Sequence, residues 1–182
     1  MWPLLWQFYI WWLKWRGVEA ACRAAHTCRR RLRVQILRAF GVQIGEGTRI
    51  EGPLVLMNAK GDMSNLRVGS DCYIGPDALI DLTAPVTIGN RVTLSMRATL
   101  ITHMAVGSGA LSKIYPPEKA GLEIADDCYI AAGVIILYGV TIGPRALIAA
   151  ASLVRESIPP DTLAAGVPAV IKKSLAEPRP PK

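Results

Sequence analysis

The stretch IADDCYIAAGVIILYGVTIGPRALIAAASLV, Ile124 to Val154, returns an aliphatic side chain at every sixth position: Ile124, Ile130, Ile136, Ile142, Ile148 and Val154. A helix repeats near 3.6 residues and a strand at 2. A period of six therefore describes three strand-like steps per unit, with one side chain aimed at the same interior each time. Short units that stack on one another make a solenoid. The fourth residue after each aliphatic is also slim, at Cys128, Val134, Val140, Ala146 and Ser152, so each hexad offers two inward positions to a narrow prism. The residue directly after the aliphatic is small at Ala125, Ala131, Gly143 and Ala149, with Leu137 the exception, and is expected to form the bend from one flat face to the next.

Outward from this stretch the same period is found with interruptions. Hexads start at Ile44, Ile50 and Leu56, blur between Asn58 and Asn65, and resume at Val68, Ile74 and Ile80. Two residues are then inserted before Ile88, Leu94 and Leu100, and Ala84, Pro85 and Val86 are expected to bulge at a corner. From Met104 to Gly121 there is no hexad, and the prolines and glycines of VGSGALSKIYPPEKAG predict a loop thrown out of the solenoid. Long loops in compact domains are uncommon and often serve binding, and insertions in a solenoid tend to map to its working face. His103 stands immediately before this loop.

Charge is confined to one end. The formal net charge of the 182 residues is +7, and residues 1–40 carry eight Lys and Arg against the single acid Glu19, which accounts for all of it. A basic segment beside aromatics points to a membrane surface or an acidic partner ahead of nucleic acid. All five tryptophans fall within MWPLLWQFYIWWLKW, residues 1–15. The apolar run stops at Leu13, short of the ~20 residues a spanning helix needs, and it lacks the basic n-region and cleavage site of a signal peptide. Two readings stay open: an interfacial helix at a lipid surface, or a helix packed on the solenoid or on a neighbouring copy. Leu32, Ile36, Leu37 and Phe40 predict a helix within Arg23 to Phe40, ended by Gly41 and lying against the first coils. Four cysteines in no CxxC arrangement argue against a zinc site or a disulfide framework, and Cys72 and Cys128 fall on slim inward positions.

The repeat, of the form [LIV]-[GAED]-x-x-[STAV]-x, resembles that of the hexapeptide-repeat acyltransferases. The passage VTIGNRVTLSMRATLITH, then a loop, then IADDCYI onward to the closing GVPAVIKK, is similar in order and spacing to the maltose, galactoside and polysaccharide O-acetyltransferases. The resemblance implies an all-β solenoid, a left-handed parallel β-helix over 41–171. A Trp-rich, basic helical segment at 1–40 would precede it, and a tail at 172–182 would follow. It further implies a homotrimer, acetyl-CoA as acyl donor and no metal. His103 would be the general base that takes the proton from an acceptor hydroxyl, a weak nucleophile without such help.

By register, Ala132 would face the thioester, Ala150 the pantetheine arm and Arg155 its far end, with Lys172 or Lys173 towards the coenzyme phosphates. Those lysines serve equally well as solubilising side chains. The family's acceptor-holding Asn has no counterpart, Gly75 and Pro76 occupying that register, so Asp77 or Asp81 is expected to hold the acceptor. Tyr129 replaces the usual Trp. The expected reaction is transfer of acetyl to a sugar hydroxyl of a cell-surface polysaccharide or lipid-linked glycan, in the cytoplasm or at the inner face of its membrane.

Other readings differ in what they require. A γ-class carbonic anhydrase shares the solenoid but needs three histidines, and His26 and His103 are the only two. A serine acetyltransferase needs a larger helical domain than forty residues supply. A non-catalytic membrane-associated scaffold, or transfer of a different acyl group, remains compatible with the sequence.

Overall fold

The computed structural model describes residues 3–176, with side chains from Trp6 onward; Trp2 and the last part of the tail, 177–182, lie outside the described residues. Residues from Gln43 on wind into a left-handed parallel β-solenoid of about five turns, preceded by three helices. The first face is built from Gln43–Ile44, Leu66–Val68, Val86–Ile88, Leu122–Ile124 and Thr141–Ile142. The second takes Arg49–Ile50, Tyr73–Ile74, Thr93–Leu94, Tyr129–Ile130 and Leu147–Ile148, and closes with Thr162–Gly166 and Ala169–Ser174. Leu54–Met57, Ala78–Asp81, Thr99–Leu100, Ile135–Ile136 and Leu153–Val154 form the third.

The period of six is the period of the faces. Ile74, Leu94, Ile130 and Ile148 are paired in line on the second face, and the six aliphatics from Ile124 to Val154 are each at most 1% exposed. The slim positions Cys128, Val134, Val140, Ala146 and Ser152 are buried with them. Burial pushes the Cys72 and Cys128 thiols up, as it does any group whose charged form loses water.

The bends differ from the expected ones. The left-handed residue is the third after each inward aliphatic, at Asp127, Gly133, Gly139, Arg145 and Ala151, not the first. The first position is small for another reason: the next coil passes directly over it. A Cβ on Gly89 would stand 2.4 Å from Asp126 Oδ1, and one on Gly75 would stand 2.6 Å from the Met96 nitrogen. Val86, expected in a bulge, is fully buried in a strand, and the inserted residues occupy 81–85.

The left-handed corners between the first and second faces carry an alternating column of charge: Asp71, Arg91, Asp127, Arg145 and Asp161. Arg91 donates to Asp127 at 2.6 and 2.8 Å, and Arg145 to Asp161 at 2.5 and 2.6 Å. Hydrogen bonds from these arginines hold both carboxyls below their ordinary range. Both arginines are thereby paired, and this edge leaves no unpaired positive charge for an anionic ligand.

At the N-terminus, α2 (Val18–Thr27) and α3 (Arg30–Ala39) stand against the first coils and close one end of the solenoid, and α1 (Pro3–Arg16) packs on α2. The helix expected within Arg23 to Phe40 is therefore two helices, broken at Cys28 and Arg29, both in extended backbone. Arg33 explains the break. Its buried guanidinium donates to the carbonyls of Ala25 (2.6 Å), His26 (3.3 Å) and Cys28 (2.6 Å) at the end of α2, and to Ile50 (3.1 Å) of the first coil. A side chain thus satisfies the carbonyls that a continued helix would have satisfied. Arg33→Met is expected to cost about 3 kcal/mol by leaving buried acceptors unpaired, read as a lowered denaturant midpoint at unchanged slope.

The stretch after His103 does leave the solenoid, but His103–Met104 pairs antiparallel with Glu118–Lys119, and Ala110–Lys113 forms a 3-10 turn, so the loop has a two-stranded base. Lys172 and Lys173, where the tail was expected to start, lie within the strand Ala169–Ser174, which pairs antiparallel with Thr162–Gly166.

Candidate active site

All three irregular stretches, 57–65, 81–85 and 101–121, fall on the edge between the third and first faces. On this edge the regular corner is replaced by a polar cluster around Asp81. The Asp81 carboxylate is 3% exposed, and every bond it accepts comes from a neighbouring coil or from its own insertion. Oδ1 accepts from Asn58 Nδ2 at 2.8 Å, Thr83 Oγ1 at 2.8 Å and the Thr83 amide at 3.2 Å. Oδ2 accepts from the Thr102 amide at 2.9 Å, Thr102 Oγ1 at 2.8 Å and His103 Nδ1 at 2.5 Å.

The burial of Asp81 raises its pKa, but the hydrogen bonds from Asn58, His103, Thr102 and Thr83 outweigh it and hold the carboxyl well below the usual carboxylate range. An ionised Asp81 assigns the histidine tautomer from the network: Nδ1 carries the proton and Nε2 the lone pair. Thr83 Oγ1, 3.2 Å from Nδ1, points its own hydrogen at Asp81 and turns a lone pair to the ring. The ring is fixed on one side. Nε2 has no partner among the described residues, and the side chain is 35% exposed. This is an imidazole held in one orientation at an open edge, with its accepting nitrogen outward.

Of the residues singled out in the sequence, the structure brings His103 and Asp81 together and places the others elsewhere. Asp81 was expected at the acceptor; its oxygens are instead taken by the six bonds just described, beneath the His103 ring. Asp77 is exposed at a left-handed corner between the second and third faces. Ala132 and Ala150 stack along that same edge, where Arg97 N bonds Pro76 O, Gly133 N bonds Met96 O and Ala151 N bonds Ala132 O. Among the described residues the amides of Ala132 and Ala150 have no backbone acceptor, whereas those of Gly133 and Ala151 do. The edge therefore offers small side chains and unpaired N–H donors to an extended, amide-bearing ligand.

Arg155 is exposed on the His103 edge, two coils further along, and bonds Glu156. Lys172 is exposed on the outermost strand of the second face. Asn58, Thr83 and Thr102 were not legible as site residues. Asn58 and Thr83 sit inside the stretches where the repeat fails, and Thr102 is hidden in LITH. The interruption itself was the available signal.

Residues 65–97 match the family model described as hexapeptide repeat of succinyl-transferase. The galactoside O-acetyltransferase of Escherichia coli strain K12 is 28% identical over 143 residues, 79% of this chain and 68% of that protein. An E. coli K12 protein provisionally named colanic acid biosynthesis acetyltransferase WcaF is 29% identical over 147 residues, 81% of this chain and 77% of its own. In three dimensions the chain is similar to a hexapeptide-repeat acetyltransferase of Vibrio cholerae crystallised with acetyl coenzyme A. The TM-score is 0.75 at 28% identity, and the match covers 86% of this chain and 84% of the other. In its repeat and its left-handed coil the chain is similar to the hexapeptide-repeat acetyltransferases.

Proposed function

We propose that the protein is an acetyl-CoA-dependent O-acetyltransferase acting on a sugar hydroxyl, with His103 as general base. The observation that carries this reading is the His103–Asp81 pair: an outward Nε2 lone pair, a fixed tautomer and a buried carboxylate that stays ionised. Acetyl-CoA, when bound, supplies the electrophilic thioester carbon. The chain's part is to take the hydroxyl proton at Nε2 as the oxygen attacks, while Asp81 stabilises the imidazolium that forms; the proton would then pass to the sulfur as the C–S bond breaks and CoA leaves as its thiol. Neither a covalent intermediate nor a metal is required for this direct transfer.

The small-residue edge fits the coenzyme. Ala132 and Ala150 would give their amides to the pantetheine arm, and Arg155 and Lys172 are cations for its phosphates. In one chain the His103 edge and the alanine edge are different edges of the prism. A site that needs both is completed only when the alanine edge of one copy meets the His103 edge of another, which favours a cyclic trimer. Asp77, exposed on the alanine edge, is positioned to hold the acceptor from the second copy. The acceptor class we propose is a cell-surface polysaccharide or lipid-linked glycan at the cytoplasmic face of its membrane, and the support for a sugar hydroxyl is the likeness to a galactoside O-acetyltransferase.

The test is calorimetric titration with acetyl-CoA and CoA, followed by mixing. One site per chain is expected, and Ala150→Trp is expected to weaken binding by about 10- to 100-fold, because it fills the edge without touching the core. His103→Ala and Ala150→Trp chains, each inactive alone, are expected to regain part of the activity when unfolded together and reassembled. Tight binding by a folded monomer would overturn the shared site, and absence of coenzyme binding would overturn the transferase.

A further inference from the structure

The helix α1 has two apolar faces and only one of them is used. Leu13 is 1% exposed, and Tyr9 packs against the core beside it. Phe8, Trp11, Trp12 and Trp15 are 70%, 63%, 41% and 75% exposed. At 3.6 residues per turn these four positions, i, i+3, i+4 and i+7, fall within an arc of about 100°. They therefore form one continuous aromatic stripe turned away from the protein.

The stripe has a basic border. The helix contains no Asp or Glu, ends in Lys14 and Arg16, and sets the Arg16 guanidinium 5.4 Å from the Trp12 ring centre. A cavity of about 570 Å3 separates Trp6 from Arg29, Arg30 and Arg31 at the start of α3. Arg30 pairs with Glu51, while Arg29 and Arg31 make no ion pair among the described residues. No helix among the described residues is long and apolar enough to cross a membrane.

From this arrangement we infer that the outer face of α1 docks on an anionic phospholipid bilayer, its aromatic rings at headgroup depth and Arg29 and Arg31 on lipid phosphates. Two arguments select this occupant. Tryptophan is the side chain that best suits a layer apolar on one side and wet on the other, and the stripe is almost all tryptophan. The segment also carries the whole formal net charge of +7, so a second copy on this face would set like charge against like, whereas anionic lipid compensates it. Docking leaves the solenoid free, since α1 reaches the rest of the protein through α2. The inference stands on these side chains and does not depend on which reaction the solenoid performs.

Because all five tryptophans lie in residues 1–15, tryptophan fluorescence excited at wavelengths where tyrosine does not absorb reports on this segment alone. The full-length protein is to be mixed with vesicles of phosphatidylcholine, with and without about one third phosphatidylglycerol. A blue shift and flotation with the anionic vesicles are expected, weakened by added salt. Trp11→Ser combined with Trp15→Ser is expected to weaken partition about tenfold or more. Arg29→Gln combined with Arg31→Gln is expected to abolish the preference for anionic lipid. All four changes are at exposed positions, and an unchanged thermal midpoint would verify that the fold is intact. Equal binding to neutral and anionic vesicles, or undiminished flotation of the Trp11→Ser, Trp15→Ser variant, would overturn the inference. A smaller assembly for that variant in sedimentation would also overturn it, and would assign the stripe to contact between copies.

Discussion

His103→Ala is expected to lower kcat for acetyl transfer by about 10²- to 10⁴-fold, the range that a positioned general base contributes, while coenzyme affinity changes little. The reason for the split is that Nε2 is needed only as the acceptor oxygen begins to bond to carbon. Loss of the ring removes an interaction made in the transition state and leaves ground-state binding in place. The ring is on the surface of its cluster, with its side chain 35% exposed, so its loss opens no cavity in the core. Titration of the variant with CoA alongside steady-state rates with a glycan acceptor separates the two quantities. A variant that transfers at the normal rate would place the base elsewhere, and one that no longer binds CoA would make His103 a binding residue.

Asp81→Asn is expected to reduce kcat by a comparable factor through a different route. The carboxylate accepts six hydrogen bonds and donates none. An amide in its place turns an N–H2 group towards donors: if that group meets the ring, Nδ1 loses its reason to carry the proton and the histidine shifts to the tautomer with Nε2 protonated. A base in the wrong tautomer loses on the order of 10²- to 10⁴-fold in rate. The same change leaves buried donors facing one another, at about 3 kcal/mol of stability. Nitrogen-15 shifts of the His103 ring distinguish the two effects, because destabilisation alone does not move the proton from Nδ1 to Nε2.

The pH dependence follows from the direction of the Asp81 shift. Its folded-state pKa lies below the unfolded value, so the folded protein binds fewer protons there and the group contributes stability above about pH 4, near the unfolded pKa. That contribution is lost as pH falls from there through the folded value. The wild type is therefore expected to lose stability steeply on the acid side, and Asp81→Asn, starting lower, is expected to have a flatter acid limb in denaturant titrations at successive pH values. Equal slopes would mean that the buried carboxylate is not the group that titrates.

The solenoid was legible because its physics is local and repeated. One aliphatic every six residues can face a common interior only if each hexad is one flat side, and the buried column Ile124 to Val154 is that pattern made solid. The edge that carries the His103–Asp81 pair was half legible. The period fails at 58–65, at 81–85 and after Leu100, and because coils stack in register these three failures meet on one edge. What the sequence did not contain was the distance between them: Asn58, Asp81 and His103 are far apart along the chain, and only the stacking of coils sets them within hydrogen-bond reach. For the same reason Asp81 could be picked out as a site residue while its place beneath the imidazole could not.

At the N-terminus the division is similar. Composition placed the charge and the tryptophans, and the spacing of Leu32, Ile36, Leu37 and Phe40 placed a helix. Neither could reveal that Arg33 folds back to end α2, since that contact spans a break in the helix and the first coil. By itself the sequence determined the repeat, the inward columns, the interrupted edge and the location of charge, because each depends on neighbours within a few residues. The tertiary structure alone decided which carboxylate orients His103, which edge presents unpaired amides and which face of α1 is left bare. Each of these depends on the packing of elements that are distant in the chain.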